Sequence, residues 1–229
     1  MDPDLRKIFF PLLLGLTGVA VLIYLGTWQL QRLQWKEDVL AQIDARLNAA
    51  PIALAGNVSV GEDNYKPVIT SGKPTGEEIH VLVSGTAAGT GYRVISAFET
   101  VSGRRILVDL GLLALEDKNV GPQTGATQIV GNLIWPDDWN SSTPDPDLGK
   151  NIWFARDVVP MAQALDTLPL MIVARTSTTP DTRLTPLPVN TINIKNDHLE
   201  YAITWYLLAA VWAAMTGFLI VRTLRKKDA

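Results

Sequence analysis

Two uncharged stretches, one near each end of the chain, limit what it can fold into. From Tyr201 to Val221 there is no Asp, Glu, Lys, Arg or His across 21 residues, and Ile8 to Gln31 is a second such run of 24. A helix needs about 20 apolar residues to cross ~30 Å of hydrocarbon at ~1.5 Å per residue, so each run is long enough to span a bilayer. The first run exceeds the ~7–15 apolar residues of a signal peptide, and no small-residue cleavage site follows it directly. Ala53-Leu54-Ala55 has the composition of such a site but lies far beyond Leu30. The expectation is an uncleaved membrane helix at 8–31, with Pro11 in its first turn where a missing N–H costs little, and a second at 201–221.

Basic residues orient the pair. Arg6 and Lys7 fall in the amino-terminal tail (1–7), and Arg222, Arg225, Lys226 and Lys227 in the carboxy-terminal tail (222–229). The segment between, 32–200, is long enough to be only weakly constrained by the charge rule, although Arg32 and Lys36 sit against it. Both tails are therefore expected in the cytoplasm and the central domain outside. With only seven residues before the first run and no Arg- and Ser-rich leader among them, a bacterial inner membrane is expected.

The central domain reads as α+β. A helix is predicted to continue from the membrane over 35–48, with Val39, Leu40, Ile43 and Leu47 on one face, until Pro51 ends it. Short β-branched runs follow at 65–70, 77–85, 92–100, 104–111 and 127–134, separated by Gly, Pro and Asp, with Val101-Ser-Gly-Arg104 as a turn. That spacing predicts an antiparallel, barrel-like sheet. A Pro/Asp/Ser-rich loop covers 135–150, a short helix 153–165, a further strand 170–176 and another loop 180–188.

Several chemistries have no residues to stand on. The chain has no cysteine, which removes disulfides, thiolate metal sites and thiol nucleophiles together. A net charge of −3 with no basic field argues against nucleic acid. Gly85-Thr-Ala-Ala-Gly89-Thr-Gly91 lacks a P-loop lysine and precedes a strand, so it reads as a hairpin connection. No serine-hydrolase elbow or zinc-protease motif occurs. The carboxylates at Glu116-Asp117, Asp137-Asp138 and Asp145–Asp147 sit in loop texture and read as solvated turns. His80 falls in a strand without a partner in view, and reads as a surface or core histidine. No enzymatic activity is expected.

What remains lies at the predicted membrane surface. On a helix Trp28, Arg32 and Trp35 share a face at i, i+4 and i+7, and His198, Tyr201, Ala202 and Trp205 share another. With both termini inside, these ends lie at one depth, so Trp28, Arg32, Trp35, His198, Tyr201 and Trp205 could line one pocket. An interfacial aromatic belt and a snorkelling arginine explain most of them without a ligand. His198 is explained less well, because imidazole is a metal ligand rather than a usual belt residue.

At these motifs the sequence resembles the surfeit locus protein 1 family. The resemblance is carried by Gly26-Thr-Trp28-Gln29-x-x-Arg32-x-x-Trp35-Lys36 and by Asn196-Asp-His198-Leu-Glu-Tyr201-Ala-x-Thr-Trp205. Tyr65-x-x-Val68, Gly91-Tyr-Arg-Val, Ile106-Leu-Val, Gly131-Asn-Leu and Asn151-Ile-Trp-Phe extend it across the central domain. One departure stands out: where the family carries an Arg-Gly-Trp-like element, this chain has Leu110-Gly111-Leu112. The resemblance implies an assembly factor for haem–copper oxidases that binds haem a and passes it to oxidase subunit I, with haem a synthase or other assembly factors as further partners. It also implies His198 as the axial ligand of the haem iron. Arg32, helped by Lys36, would pair with a propionate, and Trp28, Gln29, Trp35, Tyr201 and Trp205 would complete the site. The competing expectation is a scaffold of the same complex that binds no haem, with His198 only a hydrogen-bonding cap near the helix start.

Overall fold

The computed structural model describes residues 3–86, 88–192 and 194–225. The element order is α1 (Pro3–Leu47), β1 (Ile52–Ala53), α2 (Val60–Asp63), β2 (Pro67–Thr86), β3 (Gly89–Thr100), β4 (Arg105–Ala114), a 3-10 turn (Leu115–Asp117), β5 (Thr127–Ile134), β6 (Ile152–Trp153), α3 (Val158–Ala164), β7 (Met171–Ser177), β8 (Leu184–Thr185) and α4 (His198–Arg225). The chain separates into two compact units, Met1–Gln42 with Ile192–Ala229, and Ile43–Thr191.

Two helices, Ile8–Leu47 and His198–Arg225, are long and apolar enough to cross a membrane, as the two uncharged runs require. The first helix begins at Pro3, however, so Pro11 lies inside it rather than in its first turn. The ring forfeits one bond to the carbonyl four residues back, which a long helix tolerates because its neighbours retain theirs. The second helix starts at His198, one turn before the uncharged run, where the Asp197 carbonyl accepts the Tyr201 N–H at 3.1 Å. Lys226 and Lys227 of the basic tail lie outside the described residues.

The two helices run antiparallel, because contacts from Gly15, Gly18, Gly26 and Gln29 fall on Thr216, Trp212, Tyr206 and His198 in descending order. Each glycine is a notch. A Cβ on Gly15 would overlap Thr216, one on Gly18 would overlap Trp212, and one on Gly26 would sit 2.9 Å from the Tyr206 ring. Between apolar helices in lipid there is no hydrophobic drive to associate, so close approach over small residues must supply the attraction. Ala202 and Ala209, at 1% and 5% exposure, place small residues on the α4 side. Tyr206 also closes a hydrogen bond with Thr27 Oγ1 at 3.1 Å.

The second unit is a closed barrel. Strands β2, β3, β4, β7 and β5 follow one another around the ring, and β5 pairs back onto β2. Within the ring all pairs are antiparallel except β4–β7, while the short β1 and β6 each add a parallel contact to β2. The antiparallel sheet expected from sequence is thus mixed, and for a topological reason. Directions cannot alternate all the way around an odd-membered ring, so a closed sheet of five strands needs at least one parallel pair. The predicted strands at 65–70 and 77–85 are one continuous strand, β2, that serves both β5 and β3. At Gly72 there is no room for a side chain, since a Cβ would strike the Glu99 carbonyl.

Two cores follow from the strand alternation. Val68, Phe98, Ile106, Val108, Ile129 and Ile172 come from all five barrel strands and fill its interior. Ile79, Val81, Ile95 and Leu107 face outward and are covered by Met161 of α3 and by Trp153. That second layer explains why β3 and β4 are buried on both faces. The helix predicted at 153–165 is accordingly shorter: residues 152–153 pair with β2, and α3 starts only after Asp157, whose side chain accepts the Val159 N–H. The expected hairpin at Gly85–Gly91 is present, with Thr86 Oγ1 donating to the Gly89 carbonyl at 2.6 Å, although Ala87 lies outside the described residues. The turn at Val101–Arg104 is also present, with Gly103 at φ +78°.

At Leu110-Gly111-Leu112 the structure shows what this chain does in place of an arginine and tryptophan. Val94 pairs with Gly111 and Ile95 with Asp109, so Leu110 is the extra residue of a bulge. It packs against the barrel interior, while Leu112 is buried at 5% exposure. Gly111 takes φ +125°, and a Cβ there would meet the Thr185 carbonyl.

A buried charge network ties β2 to the segment leading into β8. Arg183 Nη2 bonds Asp181 at 2.7 Å and Glu78 at 3.2 Å, and His80 Nε2 bonds Glu78 at 2.9 Å; all four side chains are under 10% exposed. Burial alone would raise the Glu78 pKa, but hydrogen bonds from His80 and Arg183 outweigh it and hold the carboxyl below its usual value. Burial and Arg183 act on Asp181 in the same opposed way, with the same net direction.

Two outcomes are expected. Because both carboxyls titrate lower in the fold than unfolded, their contribution is complete above the ordinary carboxyl range of about 4 and disappears as pH falls through the depressed values. Replacing Arg183→Met leaves Asp181 without its cation and Glu78 with His80 alone, and should cost about 3 kcal/mol or more at neutral pH. Near-UV circular dichroism melts of the detergent-purified chain should show that deficit shrinking as pH drops below about 4. In the helix pair, Gly26→Leu should force α1 and α4 apart. A Gln29→Cys/His198→Cys pair in this cysteine-free chain should then crosslink through a short bis-maleimide several-fold less efficiently than in the Gly26 background.

Candidate functional site

The helix pair brings together part of the predicted constellation. Gln29 lies on the same side of α1 as the glycine notches, and its Oε1 accepts a hydrogen bond from His198 Nδ1 at 2.7 Å. Both side chains are half-buried. In the neutral ring, an Nδ1–H held by an amide oxygen selects the tautomer in which Nε2 carries a lone pair rather than a proton. Nε2 has no hydrogen-bond partner among the described residues. The donor set is therefore suited to a metal that accepts a single neutral imidazole, with Gln29 as the outer partner that orients the ring.

Trp28, Arg32 and Trp35 occupy a different flank of α1. The Arg32 guanidinium lies 5.8 Å from the Trp28 ring centroid and 5.2 Å from that of Trp35. Stacking between two indoles holds the cation extended and partly strips its water. Arg32 is exposed and has no carboxylate partner among the described residues, so its charge is available to an anion. The two tryptophans are 41% and 56% exposed, more than interior packing would leave.

The remaining predicted residues are less closely joined. Tyr201 is 55% exposed and Trp205 half-buried. Among the described residues neither makes a hydrogen bond or ring contact with the other five. Lys36 donates to the Lys195 carbonyl in the segment leading into α4. Ala202, predicted on the His198 face, is buried at the helix–helix contact.

Sequence reasoning missed the buried ion networks of the barrel. Asp109, fully buried, accepts from Arg93 Nε at 2.6 Å and lies 3.6 Å from Arg156, which also bonds Asp138 at 2.6 Å. The available signal was an acidic residue inside the apolar run Ile106–Leu113. Asp138 is thus an anchor rather than a solvated turn residue. His80, read as a surface or core histidine, is buried at 5% exposure, with Nε2 committed to Glu78 and its ring 5.6 Å from that of Tyr92. Its Nδ1 is buried without a partner among the described residues. Among those residues no group of three or more His, Cys, Asp or Glu side chains could hold a metal ion.

The model of the SURF1 family matches residues 16–210. A SURF1-like protein of Monosiga brevicollis is 30% identical over 90% of this chain and 86% of its own length. Surfeit locus protein 1 of Xenopus tropicalis is 30% identical over 81% of this chain and 68% of its own. A SURF1-like protein of Rickettsia felis is 30% identical over 86% of this chain and 91% of its own. The matched span runs from the first membrane-length helix through the barrel into the second, and the chain belongs to the SURF1 family.

Proposed function

We propose that this protein is a membrane-anchored carrier in the assembly of haem–copper oxidase, taking up haem a at the outer membrane surface and handing it to subunit I. The observation that carries the reading is the Gln29–His198 hydrogen bond, because it presents His198 Nε2 as a metal-competent lone pair. Arg32, stacked between Trp28 and Trp35, offers a cation to a propionate, and the exposed indoles, with Tyr201 and Trp205, offer apolar surface to a macrocycle. Haem is cargo in this scheme. Ligation by one histidine on a partly exposed flank favours release, whereas a closed pocket would retain it. The protein makes and breaks no covalent bond.

The topology proposed with it has both termini in the cytoplasm and the barrel outside a bacterial inner membrane. Haem a synthase or other assembly factors would supply the cargo.

The same hydrogen bond supports a second reading. An amide–imidazole bond between two helices is also an interhelical staple, and a scaffold that stabilises an oxidase intermediate without haem would use it as such. Reduced-minus-oxidised spectra of the detergent-purified chain, co-expressed with haem a synthesis, separate the two. Under the carrier reading, wild type shows haem a bands, His198→Ala loses or shifts them, and Gln29→Ala weakens retention about 10–100-fold. Under the scaffold reading, no variant carries haem although the membranes contain it. Bands unchanged by His198→Ala would move the ligand elsewhere.

A further inference from the structure

We propose that a groove on the outer side of the barrel unit docks an extended, basic segment of a partner polypeptide. The groove lies between the Pro/Asp-rich loop after β5 and helix α3, encloses about 510 Å³, and is walled by Trp139, Pro144, Pro146, Leu148, Phe154 and Pro160. Its floor is Trp153, buried at 7% and fixed by its pairing with Val81 of β2. Trp139, Leu148 and Phe154 are 59%, 71% and 38% exposed. Single exposed apolar residues need no explanation, but three lining one concavity with a buried indole beneath them mark a docking surface.

Charge decides the occupant. The stretch from 137 to 157 holds Asp137, Asp138, Asp145, Asp147 and Asp157 against two bases, Lys150 and Arg156. Both bases are already engaged, Lys150 with Asp147 at 3.1 Å and Arg156 with Asp138 and Asp109. Asp145, on the groove wall, has no cation among the described residues, and neither has Asp137 nearby. Asp157, also on the wall, caps α3. An uncompensated carboxylate in a groove with an exposed indole suits Lys or Arg, which can pair with the acid and stack on the ring. Walls of proline and tryptophan suit an extended backbone, as in other aromatic-lined grooves that read such segments. The loop is not left to be ordered on binding. Arg156 ties it down through Asp138, and the Asp147–Ile152 bridge closes its far end, so less entropy is lost on docking.

The test uses the full chain in nanodiscs and two fluorescein-labelled peptides, one of Pro, Leu and Arg, the other with Glu in place of Arg. Fluorescence anisotropy should show the Arg peptide binding and the Glu peptide not, with affinity falling as salt rises. Trp139→Ala should weaken binding about tenfold or more. Asp145→Lys should weaken the Arg peptide and favour the Glu peptide. Leu148→Gln, at an exposed position, removes an apolar side chain from the groove with little risk to folding and should also weaken binding, and far-UV circular dichroism spectra of all variants should match wild type. Equal binding of the two peptides, binding indifferent to all three substitutions, or no binding would overturn the proposal. So would a Trp139-dependent emission shift that follows lipid composition rather than peptide, which would make the patch a membrane contact. Haem retention in these variants should equal wild type, so the failure of this proposal leaves the carrier reading standing, and the reverse.

Discussion

The register between α1 and α4 is what the candidate site depends on. Lipid tails are as apolar as the helices, so burial of Leu and Val against one another cannot set that register. Shape does. Gly15, Gly18 and Gly26 accept Thr216, Trp212 and Tyr206, and once those side chains are seated the antiparallel pairing brings Gln29 level with His198. Helix geometry then divides α1 into an inward side, carrying Gln29, and a flank carrying Trp28, Arg32 and Trp35. The imidazole and the guanidinium are thus positioned by contacts many residues away from either.

The barrel obeys a different constraint. A ring of five strands has no free edge, which protects a long strand such as β2 from pairing with other chains. The odd count imposes a parallel contact, here β4–β7, and the segment through β6 and α3 that joins β5 to β7 also covers the outer faces of β3 and β4. Burying both faces of a strand leaves its polar residues with no water, so each needs a partner. Asp109 has Arg93 and Arg156, and Glu78 has His80 and Arg183. These ion networks read as structural consequences of double-sided burial. Arg156 is where that internal requirement reaches the surface, since the guanidinium that serves Asp109 also holds the loop bordering the exposed groove.

Physical character differs sharply between the two polar regions. In the barrel the charged groups of the networks are countered and, Asp138 apart, largely enclosed, an arrangement that resists change. On the α1 flank Arg32 is exposed, stacked and uncountered, and His198 is tied at one nitrogen only. A group kept open at modest cost, next to exposed indoles, is free to engage a ligand, and it makes the flank rather than the barrel the stronger candidate for a binding surface.

Much of this was determined by the sequence alone. Two uncharged runs of membrane length demand two helices, because no other open-ended segment can satisfy its backbone in hydrocarbon. The β-branched runs between Gly, Pro and Asp demand short strands, and the aromatic and basic spacing near Arg32 places three side chains on one flank whatever the partner does. Local pattern could not reveal Gln29 as the partner of His198, since 169 residues separate them and only the glycine notches bring them together. Nor could it show that Tyr201 stays exposed and that Lys36 turns to the Lys195 carbonyl, or that Asp109 and Glu78 lie buried beside arginines distant in sequence. Helix and strand periodicity are carried by neighbours a few positions apart. The pairing of side chains across a fold is decided by which surfaces come into contact, and only the tertiary structure holds that information.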